Sequence, residues 1–401
     1  TMNFSGKQFK NVSLLWFAQT VSQSGDSIYQ LALIWLVLEI TNSSIVTGFI
    51  AMCAYVPAVM FGLFSGVITD RFDRFKIMIL SNLSQALIVL GIPLIIIMDH
   101  KSVFIICILA FLKSSCNTFF QPALNSFIPE LFSKSVLGKI NAIIVTSGQL
   151  AWMMGPFFAG LFIARFSFTG LFIIDSLTFL VSIFFLLFIS KEKKTTIKSK
   201  STKWHDLIEG LVLLKKESNI LVIILITFLN NIFIMGPAII GIPILIKDVF
   251  KGDAMEFAFF EGFMAAGALI GSFIVSLLQK KMKNGLIWIV GLFLDGITMS
   301  FLYWAKSLEV GTFLIFIHGI AIPFIMVSRT SIIQTHTKNK YHGRFFSFVH
   351  LGVVGTTALS SALVGIILIY IKVDLMFLII GIGGASCSLI ALFYPKIIKL
   401  R

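Results

Sequence analysis

Long apolar stretches separated by short polar breaks run along almost the whole chain. Stretches long enough to cross a hydrocarbon core of about 30 Å fall at 11–38, 44–68, 76–98, 102–128, 138–164 and 167–190. A polar segment at 191–218 interrupts them, and six more follow at 219–247, 254–279, 285–305, 309–334, 345–371 and 373–395. The pattern predicts an all-α polytopic membrane protein with twelve transmembrane helices. Six would form an N-terminal bundle (1–190) and six a C-terminal bundle (219–401), joined by a linker (191–218). An even number of crossings places both termini on one side. The first run carries Asp26 and lacks a small-residue cleavage pattern, so it reads as a retained span.

The distribution of charge agrees with this count and gives it a direction. With the termini in the cytoplasm, 24 of the 32 Lys and Arg fall on the inner side, 6 on the outer side and 2 inside spans. Arg71, Arg74 and Lys76 crowd one inner loop, whereas Lys101 and Arg165 stand alone in outer loops. Cytoplasmic loops of membrane proteins carry this excess of basic residues. The net charge of +14 therefore reflects topology and contact with anionic lipid, and no nucleic-acid partner is implied. The linker opens with the cationic run KEKKTTIKSKSTK. Beyond it, Trp204, Leu207, Ile208, Leu211 and Val212 recur at helical spacing. They predict a helix that lies on the inner membrane surface or packs against the inner ends of the spans.

Composition excludes a water-soluble domain. Charged residues make up 12% of the chain, against about 25% in soluble domains. The four cysteines lie inside apolar runs with no CxxC pair, which gives neither a metal set nor a disulfide pattern. No GxxxxGK[ST] phosphate loop is present, because Gly6-Lys7 and Gly138-Lys139 lack the flanking residues. No HExxH or GxSxG motif occurs either. ATP-driven pumping and catalysis are disfavoured, no cofactor is expected, and an ion gradient is the expected energy source.

The chain resembles itself at an offset of 205 residues. Gly62 and Gly66 then meet Gly267 and Gly271, Gly138-Lys139 meets Gly343-Arg344, and Gly160 meets Gly365. Duplicated halves are common in transporters, with substrate sites near the midplane. In the same register Asp26 meets Asn231, and Lys113 meets His318, each about eight to fifteen residues into its span at about 1.5 Å per residue. A charge at bilayer depth costs about 2.5 kcal/mol or more, so ionisable residues inside spans are functional suspects. Here they are Asp26, Lys113, Asp175, Glu261, Asp295 and Arg329.

Length, span count and basic linker resemble the major facilitator superfamily, and local motifs strengthen the likeness. GVITDRFDRFK (66–76) is similar to its loop motif G-x-x-x-D-R-x-G-R-x-K/R, with Asp73 in place of the second Gly. AWMMGPFFAG (151–160) is similar to the antiporter motif G-x-x-x-G-P-x-x-G-G, with Ala at 151 and 159. FFQPALNSFIPELF (119–132) and HGRFFSFV (342–349) resemble the macrolide-efflux type of drug:proton antiporter.

The resemblance implies gating roles for Gly66, Asp70, Arg71, Arg74, Gly155 and Pro156, with Arg329 as an inner gate or snorkelling residue. It also implies a central cavity lined by spans 1, 4, 7 and 10. That favours Asp26 and Lys113 for coupling, and it reads Asp175 and Asp295 as structural. Asn231, Glu261 and His318 are further substrate or proton-coupling candidates. Two readings of Asp26–Lys113 stay open, a carboxylate alternating between proton and substrate or an ion pair that only joins two spans.

The expected function is proton-coupled export of small amphipathic, drug-like compounds by a monomer in the cell inner (plasma) membrane. Flipping of lysophospholipid or export of a native metabolite such as a siderophore is the alternative. A receptor or membrane enzyme finds no supporting motif.

Overall fold

The computed structural model describes residues 6–98, 102–132, 136–190, 214, 217–337 and 341–400. Nearly all of them are helical, as lipid requires of chain that must satisfy its own backbone hydrogen bonds. Among the described residues, ten helical segments are long and apolar enough to cross a membrane. The predicted surface helix of the linker lies outside the described residues apart from Leu214, Glu217 and Ser218.

The chain divides into two compact units, Thr1–Leu36 with Val56–Lys203, and Val37–Tyr55 with Trp204–Arg401. The first is built from α1 (Gly6–Thr41), α2 (Ser44–Arg71), α3 (Arg74–Ile97), α4 (Val103–Leu131) and α5 (Leu137–Leu187), with the ends of α1 and α2 grouped in the second. Its core joins Val12 and Leu15 of α1, Met78 of α3, Phe120 and Phe127 of α4, and Leu186 of α5.

The helical run α5 folds back on itself. Near its start a Cβ on Gly148 would lie 2.3 Å from the Gln23 amide, and one on Gly155 2.3 Å from Ser27 Cβ. Further on, Phe172 stacks edge-on against Tyr29 at 5.6 Å, and Ser190 N–H donates to Asn11 Oδ1 at 3.2 Å. A straight helix from 155 to 172 would advance about 25 Å, yet their neighbours on α1 are two residues apart. The run therefore climbs α1 and then descends it, turning between these points.

The second unit contains α6 (Ser218–Gly236), α7 (Ala254–Leu278), α8 (Asn284–Phe301), α9 (Leu308–His336), α10 (His342–Tyr370), α11 (Val373–Leu392) and the short α12 (Pro395–Ile398). Pro237 follows α6 and opens wide, π-helical turns at Pro237–Gly241 and Leu245–Val249. A proline lacks the N–H that would keep the α ladder. Trp288 and Leu292 of α8, Ile325 of α9 and Ile223 of α6 share a core with Cys387 of α11. The C-terminal turn docks on α8, where Gly285 N–H donates to Leu400 O at 3.0 Å. Only glycine fits there, because a Cβ would stand 1.7 Å from Ile397 O.

Candidate functional site

In the first unit, α1, α4 and the descending leg of α5 converge on one ammonium group. Lys113 of α4 forms an ion pair with Asp26 of α1, and its Nζ lies 3.5 Å from Asp175 Oδ2 of α5. Tyr29, one turn after Asp26, places its ring 3.7 Å below Nζ, and the Phe179 ring stands 5.5 Å away. Two carboxylates and two aromatic faces thus surround a single cation, a favourable setting when water is excluded.

The side chains differ in access. Asp175 is fully buried, Lys113 keeps 8% of its surface and Asp26 keeps 27%. Among the described residues, neither carboxylate oxygen of Asp175 has a hydrogen-bond partner within 3.5 Å at good geometry, and neither does the Tyr29 hydroxyl. The close approach depends on Gly25, whose Cβ would lie 2.5 Å from Asp175 Oδ1 and 2.1 Å from Thr178 Oγ1. Asp26 and Lys113 are therefore brought together as the sequence suggested, and Asp175, for which the resemblance implies a structural role, joins them. No sequence signal beyond its being an in-span acid marked it.

The second unit sorts the remaining candidates differently. His318 of α9 does not meet Asn231. It lies with Asp295 and Thr298 of α8 and Asn230 of α6, all buried. His318 Nε2 stands 3.7 Å from Asp295 Oδ1, and Nδ1 is 3.0 Å from Thr298 Oγ1. Asn230 Nδ2 donates to Asp295 Oδ2 at 2.9 Å. Asn231 faces another way, and its amide donates to Val353 O, Thr356 Oγ1 and Thr357 Oγ1 of α10 at 3.0, 2.8 and 2.9 Å. Adjacent residues on a helix point about 100° apart, so a one-residue difference selects a different neighbour. Glu261 of α7 and Arg329 of α9 are half-buried and form no ion pair among the described residues.

The loop and antiporter motifs show what their departures do. Asp73, in place of the family glycine, is the N-cap of α3, at φ −62° and ψ 114°. Its Oδ1 accepts from Lys76 N–H at 3.1 Å, so this turn needs no glycine. Arg74 forms an ion pair with Glu130 of α4 and donates to Ser126 O at 3.1 Å, while Arg71 is exposed. The Asp70 side chain lies outside the described residues. Gly66 is buried in α2 and its carbonyl accepts from Thr69 Oγ1 at 2.9 Å. Gly155 lets α5 touch Ser27 of α1, and Pro156 beside it is half-buried.

Apolar helices of crossing length that bury a few charges are the mark of a polytopic membrane protein. A family model described as Major Facilitator Superfamily matches residues 15–311, and the chain belongs to that family. It is a transporter, and its fold is the all-helical major facilitator fold. Among its relatives is Macrolide efflux protein A of Streptococcus pyogenes, 25% identical over 396 residues and 96% of each chain. An MFS-type transporter of Bacillus subtilis is 26% identical, over 98% of this chain and 95% of its own. The crystal structure of a bacterial homologue of the iron transporter ferroportin superposes with a TM-score of 0.74 at 16% identity, covering 97% of this chain and 98% of that one.

Proposed function

We propose that this transporter exports small amphipathic compounds of the macrolide-like class in exchange for protons, with Asp26, Lys113 and Asp175 as the coupling site. The observation that carries the proposal is the charge balance of that site. Two carboxylates share one ammonium, so with all three ionised the cluster holds one uncompensated negative charge. A net charge at membrane depth is costly. One more positive charge, from a proton or a cationic substrate group, relieves it. Asp26 is the exposed member and takes either of them.

The remaining roles follow the same scheme. In the second unit Glu261 and His318 supply further proton carriers and Asn231 a substrate contact. Gly66, Asp70, Arg71, Arg74, Gly155, Pro156 and Arg329 serve the conformational change of alternating access. The chain makes twelve crossings as a monomer in the cell membrane, with both termini cytoplasmic and lipid around it. The domains are the bundles 1–190 and 219–401 with the linker 191–218. Macrolide efflux protein A, alike over nearly its whole length, supports the substrate class.

The test is resistance in a drug-sensitive bacterial host. Expression of the native chain is expected to raise the tolerated macrolide concentration, and an uncoupler or Asp26→Asn is expected to abolish the gain. Resistance that survives both treatments would remove proton exchange at Asp26 from the account.

A further inference from the structure

The buried cluster of the second unit sets a carboxylate against an imidazole in a site closed to water. Thr298 Oγ1 lies 2.6 Å from Leu294 O and 3.0 Å from His318 Nδ1, and its one hydrogen can be given to either. With that hydrogen given to Nδ1, a neutral ring beside an ionised Asp295 still leaves one buried negative charge; with it given to Leu294 O, Nδ1 carries the ring hydrogen and donates it. In a neutral imidazole this leaves Nε2 with a lone pair, and Nε2 is the atom that faces Asp295 Oδ1 at 3.7 Å. Two acceptors would confront each other in a site closed to water, since His318 and Asp295 keep only 2% and 5% of their side-chain surface. The other oxygen of Asp295 is already occupied by Asn230 Nδ2 at 2.9 Å.

We propose that Asp295 and His318 form one buried proton-binding site, holding a single proton between Nε2 and Oδ1 and positioned by Asn230 and Thr298. With the proton on Nε2 the pair is an imidazolium facing a carboxylate. With the proton on Oδ1 it is a carboxylic acid facing a neutral ring. Either form is uncharged overall, which burial favours.

Among the described residues, the surroundings offer no competing cation. From α11, Cys387 is the titratable group within electrostatic reach of Asp295. From α6 the cluster meets the uncharged Asn230. The helix α7 packs along α9 where Gly319 meets Met264 O, and its Glu261 forms no ion pair with His318 among the described residues. Arg329 lies three turns further along α9 itself.

The inference rests on the proton-carrier role proposed for His318 and gives it Asp295 as its partner, yet its test needs no transport substrate. Purified full-length protein in lipid nanodiscs is titrated with acid while infrared difference spectra follow carboxyl and imidazole bands. Asp295→Asn is expected to remove one titrating component and to leave the component that Asp26→Asn removes. His318→Gln, which keeps a polar group against Thr298, is expected to shift the Asp295 component by about tenfold in proton affinity. It carries the test even if Asp295→Asn fails to fold. Native-like titration in either variant would overturn the proposal. A failure of proton exchange at Asp26 would leave these spectra unchanged, so the two readings fail separately.

Discussion

At the scale of single residues, the account rests on which charges are compensated and where a side chain has room. Lys113 balances two acids, one of them fully enclosed. Replacing it by Met should leave an uncompensated buried charge and cost about 3–5 kcal/mol. Thermal unfolding in detergent would read this loss, and Asp175→Asn in the same chain should restore part of it. Additive losses in the double variant would mean that the two residues do not interact. Gly155 makes a second residue-level test, because a Cβ there would press within 2.3 Å of Ser27 Cβ. Gly155→Ala should destabilise the protein by about 1–3 kcal/mol through forced separation of α5 from α1, read by the same unfolding assay. Asp26 and Lys113 were legible in the sequence because charges stand out in apolar runs. Asp175 was visible as a charge, but its partner was not, since the direction of a side chain around a helix depends on how α5 folds back.

Among elements, boundaries and contacts follow local chemistry that the sequence partly displays. Asp73 caps α3 and Asp253 caps α7, the latter in a reciprocal pair in which Glu256 Oε2 accepts from Asp253 N–H at 2.7 Å. Asp73→Ala should therefore cost about 1 kcal/mol in an unfolding titration, with Glu256 untouched. Asn231 contributes side-chain hydrogen bonds to the contact of α6 with α10, where Ser360 Oγ also accepts from Gly236 N–H. Asn231→Ala should lower unfolding stability by about 1–2 kcal/mol, in keeping with the modest worth of side-chain hydrogen bonds between membrane helices. The apolar runs located the helices well, because hydropathy and length are written directly in composition. The partner of Asn231 was not readable. The repeat offset aligns positions along the chain and says nothing of the rotation that turns residue 231 to α10 and residue 230 to α8.

Across the whole molecule, the duplicated sequence carries two related but unequal polar sites. Lys113 and His318 occupy matching positions, as do Gly25 and Asn230, and each unit sets a basic side chain against a buried aspartate. The aspartates are not equivalent, for Asp175 comes from the last helix of its unit and Asp295 from the third. One site keeps a partly exposed carboxylate, and the other is closed. The open site suits exchange with a substrate, and the closed one suits storage of a proton. The most direct measurement places purified protein in liposomes, adds a macrolide on one side and follows the internal pH. The account predicts proton movement opposite to the substrate in the native protein and none in Asp26→Asn. Equal proton movement in the two, or macrolide transport with no proton movement at all, would contradict it.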